Sequence, residues 1–288
     1  MSPLPDPVRL VVFDLDGVIY RGLQPIEGAP ELVRWLHERG VAVRFATNNS
    51  MVERRGYVAR LATMGIATEE DEIVTSTSAS IEHLRRHAPE VRRILAIGAD
   101  GMRTELLEAG FEAAMAGEVA RHAAGDGPPD GGPLADRYDA VLVGLDPAVD
   151  YARLAVAMSA VDAGARLVAT NADTRYPTPA GFLPGAGSIV AALATATGVT
   201  PEVVGKPEPA MFTAILEASG VDAGEAVVVG DNPDADVAGA HRAGCAAILV
   251  LTGVATAEAA EALEGERRPD AVAAGPAEVR RLLEDRLS

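Results

Sequence analysis

Two aspartates, Asp14 and Asp16, follow an apolar run near the start of the chain, in the stretch LVVFDLDGVIYRG. Because they lie two positions apart, both side chains leave an extended strand on the same face. Two carboxylates facing one crevice repel each other, unless a hard cation such as Mg²⁺ sits between them. A solvated Asp-Gly turn at a strand end gives the same pattern without any chemistry. The pair therefore indicates a magnesium site, with an ordinary turn as the alternative.

A second acidic stretch lies near the other end of the chain, EAVVVGDNPDAD at 225–236. If its strand lies beside the first, Asp231 faces the same crevice and supplies a third oxygen ligand. Asp234 and Asp236 follow at the start of the next helix. Helix N-capping is the competing interpretation for both, since acids stabilise a first helical turn.

Two further stretches place polar groups at strand ends, VAVRFATNNS and VVGKPEPAMF. Thr47 can donate to an anion, and the backbone N–H groups beyond it can bind a phosphate at a helix start. A Thr or Asn that only caps a helix N-terminus would give the same sequence pattern. Lys206 lies between a glycine and a proline. A lysine in this position is usually a solvated charge. If it lies beside three aspartates and a phosphate, its positive charge can instead balance their negative charges and hold the nucleophile in place.

The elements that position these residues alternate between strand and helix patterns. The predicted strands are Leu10–Phe13, Val41–Ala46, Ile94–Ile97, Ala140–Val143, Arg166–Ala169, Ala226–Val229 and Ala246–Leu251. Helical spacing is found between them, as in Ala29–Glu38 and Pro209–Ala218. Alternation of this kind predicts an α/β fold, with a mainly parallel sheet and helices on both faces. Polar residues at the carboxyl ends of such strands mark the ligand crevice.

Length and composition limit the function classes. A chain of 288 residues predicts a core with a second, smaller domain. Apolar residues make up 48% of the chain and aromatic residues only 4%, so the core is built from Ala, Val, Leu and Ile. The formal net charge of −17 repels nucleic acids and anionic membrane surfaces, which argues against both as partners.

Several features predict a cytoplasmic protein. The chain has one cysteine, Cys245, whose apolar surroundings indicate an inert core thiol. No run approaches the ~20 apolar residues of a membrane span. The N-terminus has neither a basic region nor an apolar one, so no signal peptide is expected. The segment AAGDGPPDGGPLAD, 123–136, is too rich in Gly and Pro for regular structure and predicts a surface loop.

Taken in order, the four stretches resemble the four motifs of the haloacid dehalogenase (HAD) superfamily of phosphatases. The resemblance covers nearly the whole chain and is strongest to subfamily IIA. That branch includes 4-nitrophenylphosphatase, phosphoglycolate phosphatase, glycerol-3-phosphate phosphatase and nucleotidase-like enzymes. Its signs here are DGVIYRG, NNSMVERRGYVARLATMGI and NADTRYPTPAGFLPGAGSIVAAL.

The resemblance implies a Rossmann-like, parallel-sheet core with an α/β cap inserted between the second and third motifs. On this basis, residues 1–84 and 174–288 form the core and 85–173 form the cap. The cap would cover the crevice and exclude water. Caps of this type often mediate dimers in the family, so a homodimer would form through the cap, although the sequence leaves the oligomeric state open.

The resemblance also implies roles for single residues. Asp14 would be the nucleophile that becomes an aspartyl-phosphate, and Asp16 would protonate the leaving oxygen and then deprotonate the attacking water. The ligands of Mg²⁺ would be the Asp14 carboxylate, the backbone carbonyl of Asp16 and the Asp231 carboxylate, with Asp236 nearby. The phosphoryl oxygens would be bound by Gly17, Thr47, Asn48 and Lys206.

The fourth motif departs from the branch at Pro233 and Ala235, where a bulky apolar residue and a threonine are common. This leaves Asp234 and Asp236 as rival metal-supporting residues, of which the register favours Asp236. Substrate selectivity would depend on cap loops that contain Asp146, Arg175 and Tyr176, unless these residues are ordinary loop structure.

The implied function is Mg²⁺-dependent hydrolysis of a small phosphorylated metabolite. Asp16 favours this over dehalogenation, since an alkoxide leaving group needs a proton and a halide does not. A phosphomutase uses the same pair of aspartates, but the cap resembles that of the hydrolases. Two alternatives stay open: a non-catalytic regulator that binds a phosphorylated metabolite, and a receiver-like phospho-acceptor.

Overall fold

The computed structural model describes residues 4–125, 138–178 and 181–287. These residues divide into two compact units. The first unit comprises 4–47, 54–74 and 206–287. The second unit comprises 48–53 and the described part of 75–205. Along the sequence, the second unit is therefore inserted into the first.

Fifteen strands and eleven helices are found in the described residues. The strands are β1 (Leu10–Phe13), β2 (Tyr20–Arg21), β3 (Gln24–Pro25), β4 (Ala42–Thr47), β5 (Ile73–Thr75), β6 (Arg93–Ile97), β7 (Glu112–Met115), β8 (Ala140–Val143), β9 (Arg166–Ala169), β10 (Arg175–Thr178), β11 (Gly181–Pro184), β12 (Glu202–Val203), β13 (Ala226–Gly230), β14 (Ala246–Val250) and β15 (Ala271–Ala273). The helices are α1 (Ala29–Glu38), α2 (Arg54–Thr63), α3 (Ser76–His87), α4 (Asp100–Glu108), α5 (Ala116–Gly125), α6 (Tyr151–Asp162), α7 (Ala186–Thr197), α8 (Ala210–Ser219), α9 (Ala238–Arg242), α10 (Ala257–Glu261) and α11 (Pro276–Leu283).

The first unit is built on a six-stranded sheet in the order β15-β14-β13-β1-β4-β5. Strand β1 pairs in parallel with both neighbours, so that Leu10 lies opposite Ala226 of β13 and Ala42 of β4. All residues of β1 and β13 are buried, as expected for a parallel sheet covered on both faces. This arrangement confirms the predicted α/β fold and brings the carboxyl ends of β1, β4 and β13 to one edge.

The second unit contains a five-stranded parallel sheet in the order β12-β9-β8-β6-β7. Its core joins apolar residues of the central strands to α6 and α7, among them Val141, Leu167 and Ile189. These are aliphatic residues, as the low aromatic content predicts. A two-stranded hairpin, β10-β11, precedes α7.

The limits of the second unit do not coincide with the predicted boundaries at 84/85 and 173/174. Helix α3 belongs to this unit, and its first turn is capped by Thr75, whose hydroxyl accepts from the backbone N–H of Ser78 at 3.0 Å. On the other side, α7 packs into the second core and β12 pairs with β9. The unit thus extends from 75 to 205 and also takes residues 48–53.

Most predicted elements are found within a residue of their expected limits. Strands β1, β8 and β9 and helix α1 have the predicted bounds. The first three residues of the predicted loop at 123–136 are instead the end of α5, and residues 126–136 lie outside the described part of the chain. Of the described helices, none is long and apolar enough to cross a membrane.

Cys245 precedes β14 and is 4% exposed. Burial raises the pKa of its thiol to about 11, so little reactive thiolate is present near neutral pH. We expect the native protein to react with a disulfide reagent such as Ellman's reagent at pH 8 several orders of magnitude more slowly than the protein unfolded in guanidinium chloride. Equal rates in the two states would contradict this inert, buried thiol.

Candidate active site

The site of the first unit begins with two residues at neighbouring strand ends. Asp14 follows β1, and its backbone N–H donates to the carbonyl of Val229 at 2.9 Å. Asp231 follows β13, the strand that pairs with β1. Asp236 lies at the end of a π-helical turn, Pro233–Val237. Carboxylate oxygens of these three aspartates lie within 4.8 Å of one another, and the carboxylate of Asp16 is not among them.

Lys206 is the chain's single lysine and is 3% exposed. Its ammonium group donates to Asp14 Oδ1 at 2.5 Å, to Asp236 Oδ1 at 2.7 Å and to the carbonyl of Ala46 at 3.0 Å. The ammonium group has three N–H bonds, so these three partners use all of them. Lys206 therefore ties the ends of β1 and β4 to Asp236, and it is not the solvated charge of the alternative interpretation.

The electrostatics of the cluster follow from its burial. Burial raises the pKa of Asp14 well above its ordinary value, against the lowering effect of Lys206. Burial and the neighbouring Asp236 carboxylate also raise the pKa of Asp231. Although burial alone would lower it, the pKa of Lys206 is raised, because Asp14 and Asp236 stabilise its charge. Three carboxylates against one ammonium leave an excess of negative charge, which a further cation would offset.

The donor set fits Mg²⁺. Among the described residues, Lys206 donates to Oδ1 of Asp14 and the Val254 N–H donates to Oδ2 of Asp231, so each of these carboxylates keeps one oxygen that accepts no hydrogen bond. The space beside Asp231 depends on Gly17 and Gly253, since a Cβ at either position would collide with its carboxylate. Oxygen donors alone, and carboxylates in particular, are what a hard divalent cation prefers.

Asp236 and Asp234 have different roles. Asp236 is 2% exposed, and its Oδ2 accepts from the backbone N–H groups of Asp231 at 3.1 Å and Asn232 at 3.0 Å. Asp234 is exposed and lies 3.4 Å from Arg267. The helical turn is capped by Asn232, whose side chain accepts from the N–H groups of Asp234 and Ala235. Asn232 is thus the N-cap residue, both aspartates lie in the first turn as the capping interpretation expects, and only Asp236 also joins the cluster.

Asp16 lies in a tight turn next to Gly17. Gly17 has a φ of 83°, which favours glycine, and its N–H donates to the carbonyl of Tyr20 at 2.8 Å. Asp16 is exposed, yet the surrounding protein partly removes water from its carboxyl and raises its pKa. Arg60 and Lys206 oppose this rise. A carboxyl with a raised pKa is suited to give and take a proton.

The loop after β14 supports the site and was missed in the sequence. Val254 N–H donates to Asp231 Oδ2 at 2.7 Å, and Thr252 donates its hydroxyl to the carbonyl of Gly17 at 2.6 Å. The signal was present, because polar and glycine residues directly follow a predicted strand in LTGV. Thr47 was selected because polar residues at the carboxyl ends of strands mark the ligand crevice, and the same criterion selects this loop.

The predicted phosphate-binding residues fall in both units. Thr47 ends β4 in the first unit and is buried. Asn48 belongs to the second unit, where its side-chain amide donates to the Asp173 carboxylate at 3.1 and 3.3 Å. Its contact with a phosphate stays a prediction.

The cap residues proposed for selectivity have partners within the second unit. Asp146 lies 3.5 Å from Arg153 and accepts from the N–H of Ala148 at 2.8 Å. Arg175 stacks over the ring of Phe182, 5.6 Å from its centroid, across the β10-β11 hairpin. Tyr176 lies in the same hairpin, opposite Leu183. Substrate contact by Asp146, Arg175 and Tyr176 stays a prediction.

Comparison with known proteins places this geometry among hydrolases. A family model of haloacid dehalogenase-like hydrolases matches residues 11–112, and a second model of HAD-like hydrolases matches 203–279. An acid sugar phosphatase of Staphylococcus aureus is 34% identical over 250 residues, which are 87% of this chain and 89% of that protein.

Solved structures agree with the family models over both units. A glycerol phosphate phosphatase from Mycobacterium tuberculosis, in complex with magnesium, has a TM-score of 0.81 at 33% identity, over 96% of this chain and 78% of that one. A 4-nitrophenylphosphatase from Thermotoga maritima has a TM-score of 0.83 at 30% identity, over 96% and 97%.

We expect Lys206→Met to lower the free energy of unfolding by about 3–5 kcal/mol, because it leaves two buried carboxylates without their cation. Urea titration at neutral pH measures the change. The matched control is Arg9→Met, which removes an exposed ion pair with Glu225 and costs less than about 1 kcal/mol. Equal losses in the two variants would contradict the role given to Lys206.

Proposed function

We propose that this chain, which belongs to the phosphatase branch of the haloacid dehalogenase-like hydrolase family, is a Mg²⁺-dependent phosphatase acting on phosphate monoesters of small metabolites through an aspartyl-phosphate. One observation carries the proposal. The Asp14 carboxylate stands at the end of a central strand, with one oxygen bound by Lys206 and the other accepting no hydrogen bond in the described part of the chain.

The first step forms the covalent intermediate. A carboxylate oxygen of Asp14 attacks phosphorus, and the bond from phosphorus to the ester oxygen breaks. Lys206 holds the other carboxylate oxygen, which orients the attack. Asp16 gives its proton to the departing oxygen, so that an alcohol leaves instead of an alkoxide. The raised pKa of Asp16 favours the protonated form that this step requires.

The second step returns the enzyme to its starting state. Water attacks the phosphorus of the aspartyl-phosphate, and Asp16, now a carboxylate, takes the water proton. The bond between phosphorus and the Asp14 oxygen breaks, which releases inorganic phosphate and restores the carboxylate. The proton that Asp16 lost in the first step is thereby replaced, so the two half-reactions balance.

The phosphoryl oxygens need positive partners in a strongly acidic protein. Lys206 supplies a fixed charge, and Gly17 lets the backbone approach the phosphate because it has no side chain. The hydroxyl of Thr47 and the amide of Asn48 complete the proposed phosphate-binding set. Asp14, Asp231 and the Asp16 carbonyl, with Asp236 in support, would hold Mg²⁺, which would supply charge stabilisation for the phosphoryl oxygens.

A non-catalytic regulator that binds a phosphorylated metabolite is the second candidate, since fold alone does not guarantee activity. Asp16 argues against it, because a binding protein has no use for an acid with a raised pKa at the leaving-group side. A receiver-like phospho-acceptor would keep its acyl phosphate, and it has no need of an inserted unit of more than 100 residues.

The test is release of inorganic phosphate from 4-nitrophenyl phosphate, glycerol 3-phosphate and several sugar phosphates, with Mg²⁺ or with EDTA. These compounds follow the names of the similar proteins. We expect turnover with Mg²⁺ and none with EDTA. Tight Mg²⁺-dependent binding of a phosphate ester without turnover would instead support the regulator.

Asp14→Asn should lower kcat by several orders of magnitude at saturating Mg²⁺, because the amide is a poor nucleophile. Steady-state phosphate release measures this, and circular dichroism shows whether the fold is kept. Asp234→Asn is the matched control, an exposed aspartate of the fourth motif that lies outside the cluster. A variant of Asp14 that keeps most of the wild-type rate would disprove the covalent route.

Asp16→Asn should slow the hydrolysis of glycerol 3-phosphate far more than that of 4-nitrophenyl phosphate. An alkoxide must be protonated as it leaves, whereas 4-nitrophenolate leaves without a proton. Single-turnover rates with the two substrates measure formation of the intermediate separately from its hydrolysis. An equal loss of rate with both substrates would exclude Asp16 as the general acid.

A further inference from the structure

Residues 48–53 follow β4 in the chain but are built into the second unit. Ser76 Oγ and Asn171 Nδ2 each donate to the backbone carbonyl of Asn48 at 2.7 Å. Two residues further on, Ser50 Oγ accepts from the N–H of Leu145 at 3.0 Å. The segment that begins directly after Thr47 is therefore bonded to three separate parts of this unit.

Close packing against glycines fixes the same segment. A Cβ at Gly101 would lie 2.6 Å from the carbonyl oxygen of Met51, and one at Gly205 would lie 2.7 Å from Asn48 Oδ1. Real Cβ atoms essentially never come this close to a neighbour, so a side chain at either glycine would force the contacting backbone of Met51 or the Asn48 amide to shift. Gly205 directly precedes Lys206 in the sequence, so Asn48 contacts the residue next to the lysine that binds Asp14.

Asp173 completes the arrangement through the side chain of Asn48. Asn48 Nδ2 donates to both oxygens of the Asp173 carboxylate, and such charge-assisted bonds are stronger than neutral ones. The backbone of Asp173 is fixed in turn: its N–H donates to Asn171 Oδ1 at 3.1 Å, and its carbonyl accepts from Gly187 in α7 at 2.9 Å. The Asp173 carboxylate is therefore held by a hydrogen-bonded backbone turn, and it orients the side-chain amide of Asn48.

We propose that Asp173 is a positioning residue for the phosphate-binding segment Thr47–Asn48. Its carboxylate fixes the rotamer of Asn48 and, through it, the path of the backbone beside Thr47 and Gly205. The effect on rate rests on the function proposed above. The sequence segment TNADTRYPTPAGF thereby gains a role other than direct substrate contact, because its Asp173 acts through Asn48.

The test is a double-mutant cycle of Asn48→Ala and Asp173→Ala, read as kcat/KM for 4-nitrophenyl phosphate with Mg²⁺. Mutation of a residue that orients a metal ligand lowers affinity or activity by about 10- to 100-fold, and we use the same range for Asp173 by analogy. We expect Asp173→Ala to lose that much and the double variant to lose no more than Asn48→Ala alone. Asp173→Asn keeps one acceptor oxygen and should lose less. Additive losses would overturn the proposal, since Asp173 would not be acting through Asn48.

A matched control separates positioning from general stability. Asp139 is another carboxylate of the second unit, and it accepts from the backbone N–H groups of Arg92 at 2.9 Å and Arg93 at 2.8 Å. Asp139→Ala should lower the melting temperature without a comparable loss of kcat/KM. A loss equal to that of Asp173→Ala would overturn the proposal, because the effect would then be one of fold stability alone.

A second measurement does not depend on activity. Hydrogen exchange followed by mass spectrometry should show faster exchange of the peptide covering 48–53 in Asp173→Ala and unchanged exchange there in Asp139→Ala. If the wild-type protein hydrolyses no phosphate ester, the proposed function fails, while faster exchange in Asp173→Ala still supports the positioning role. Unchanged exchange over 48–53 in Asp173→Ala would overturn it.

Discussion

The site depends on one buried interaction, the contact of Lys206 with Asp14 and Asp236. A charge that is 3% exposed is tolerated only when every donor is used and opposite charges lie beside it, and Lys206 meets both conditions. The ammonium group lowers the repulsion between carboxylates that the parallel sheet brings to one edge. It also holds one Asp14 oxygen, while the other accepts no hydrogen bond in the described part of the chain.

The proximity of Asp14 and Asp231 could be predicted from the sequence because it follows from sheet topology. Asp14 and Asp231 follow apolar runs that pair in parallel, so their places were determined once the α/β pattern was recognised. Strand and helix limits were also found, since short buried strands and amphipathic helices have distinct periods. The choice between Asp234 and Asp236 needed the structure, because a π-helical turn sets which of them points inward.

Other features could not be predicted for physical reasons. For the loop at Thr252–Val254, the sequence signals its place at a strand end, but not that its backbone N–H at Val254 and the bare Cα of Gly253 contact Asp231. The extent of the second unit depends on contacts of α7 and β12 with β9 and its neighbours, which are distant in sequence. The bond between Asn48 and Asp173 spans 125 positions and has no periodic signal.

The central claim is that Asp14 carries the phosphoryl group during turnover, and acid quenching tests it most directly. Enzyme mixed with Mg²⁺ and a substrate that it hydrolyses is quenched in acid within one turnover, and its peptides are analysed by mass spectrometry. The account predicts one phosphoryl group on Asp14 of the peptide covering 10–21, absent from Asp14→Asn and from samples quenched after the substrate is exhausted. Turnover without any phosphoryl group on Asp14, under conditions that preserve acyl phosphates, would contradict it.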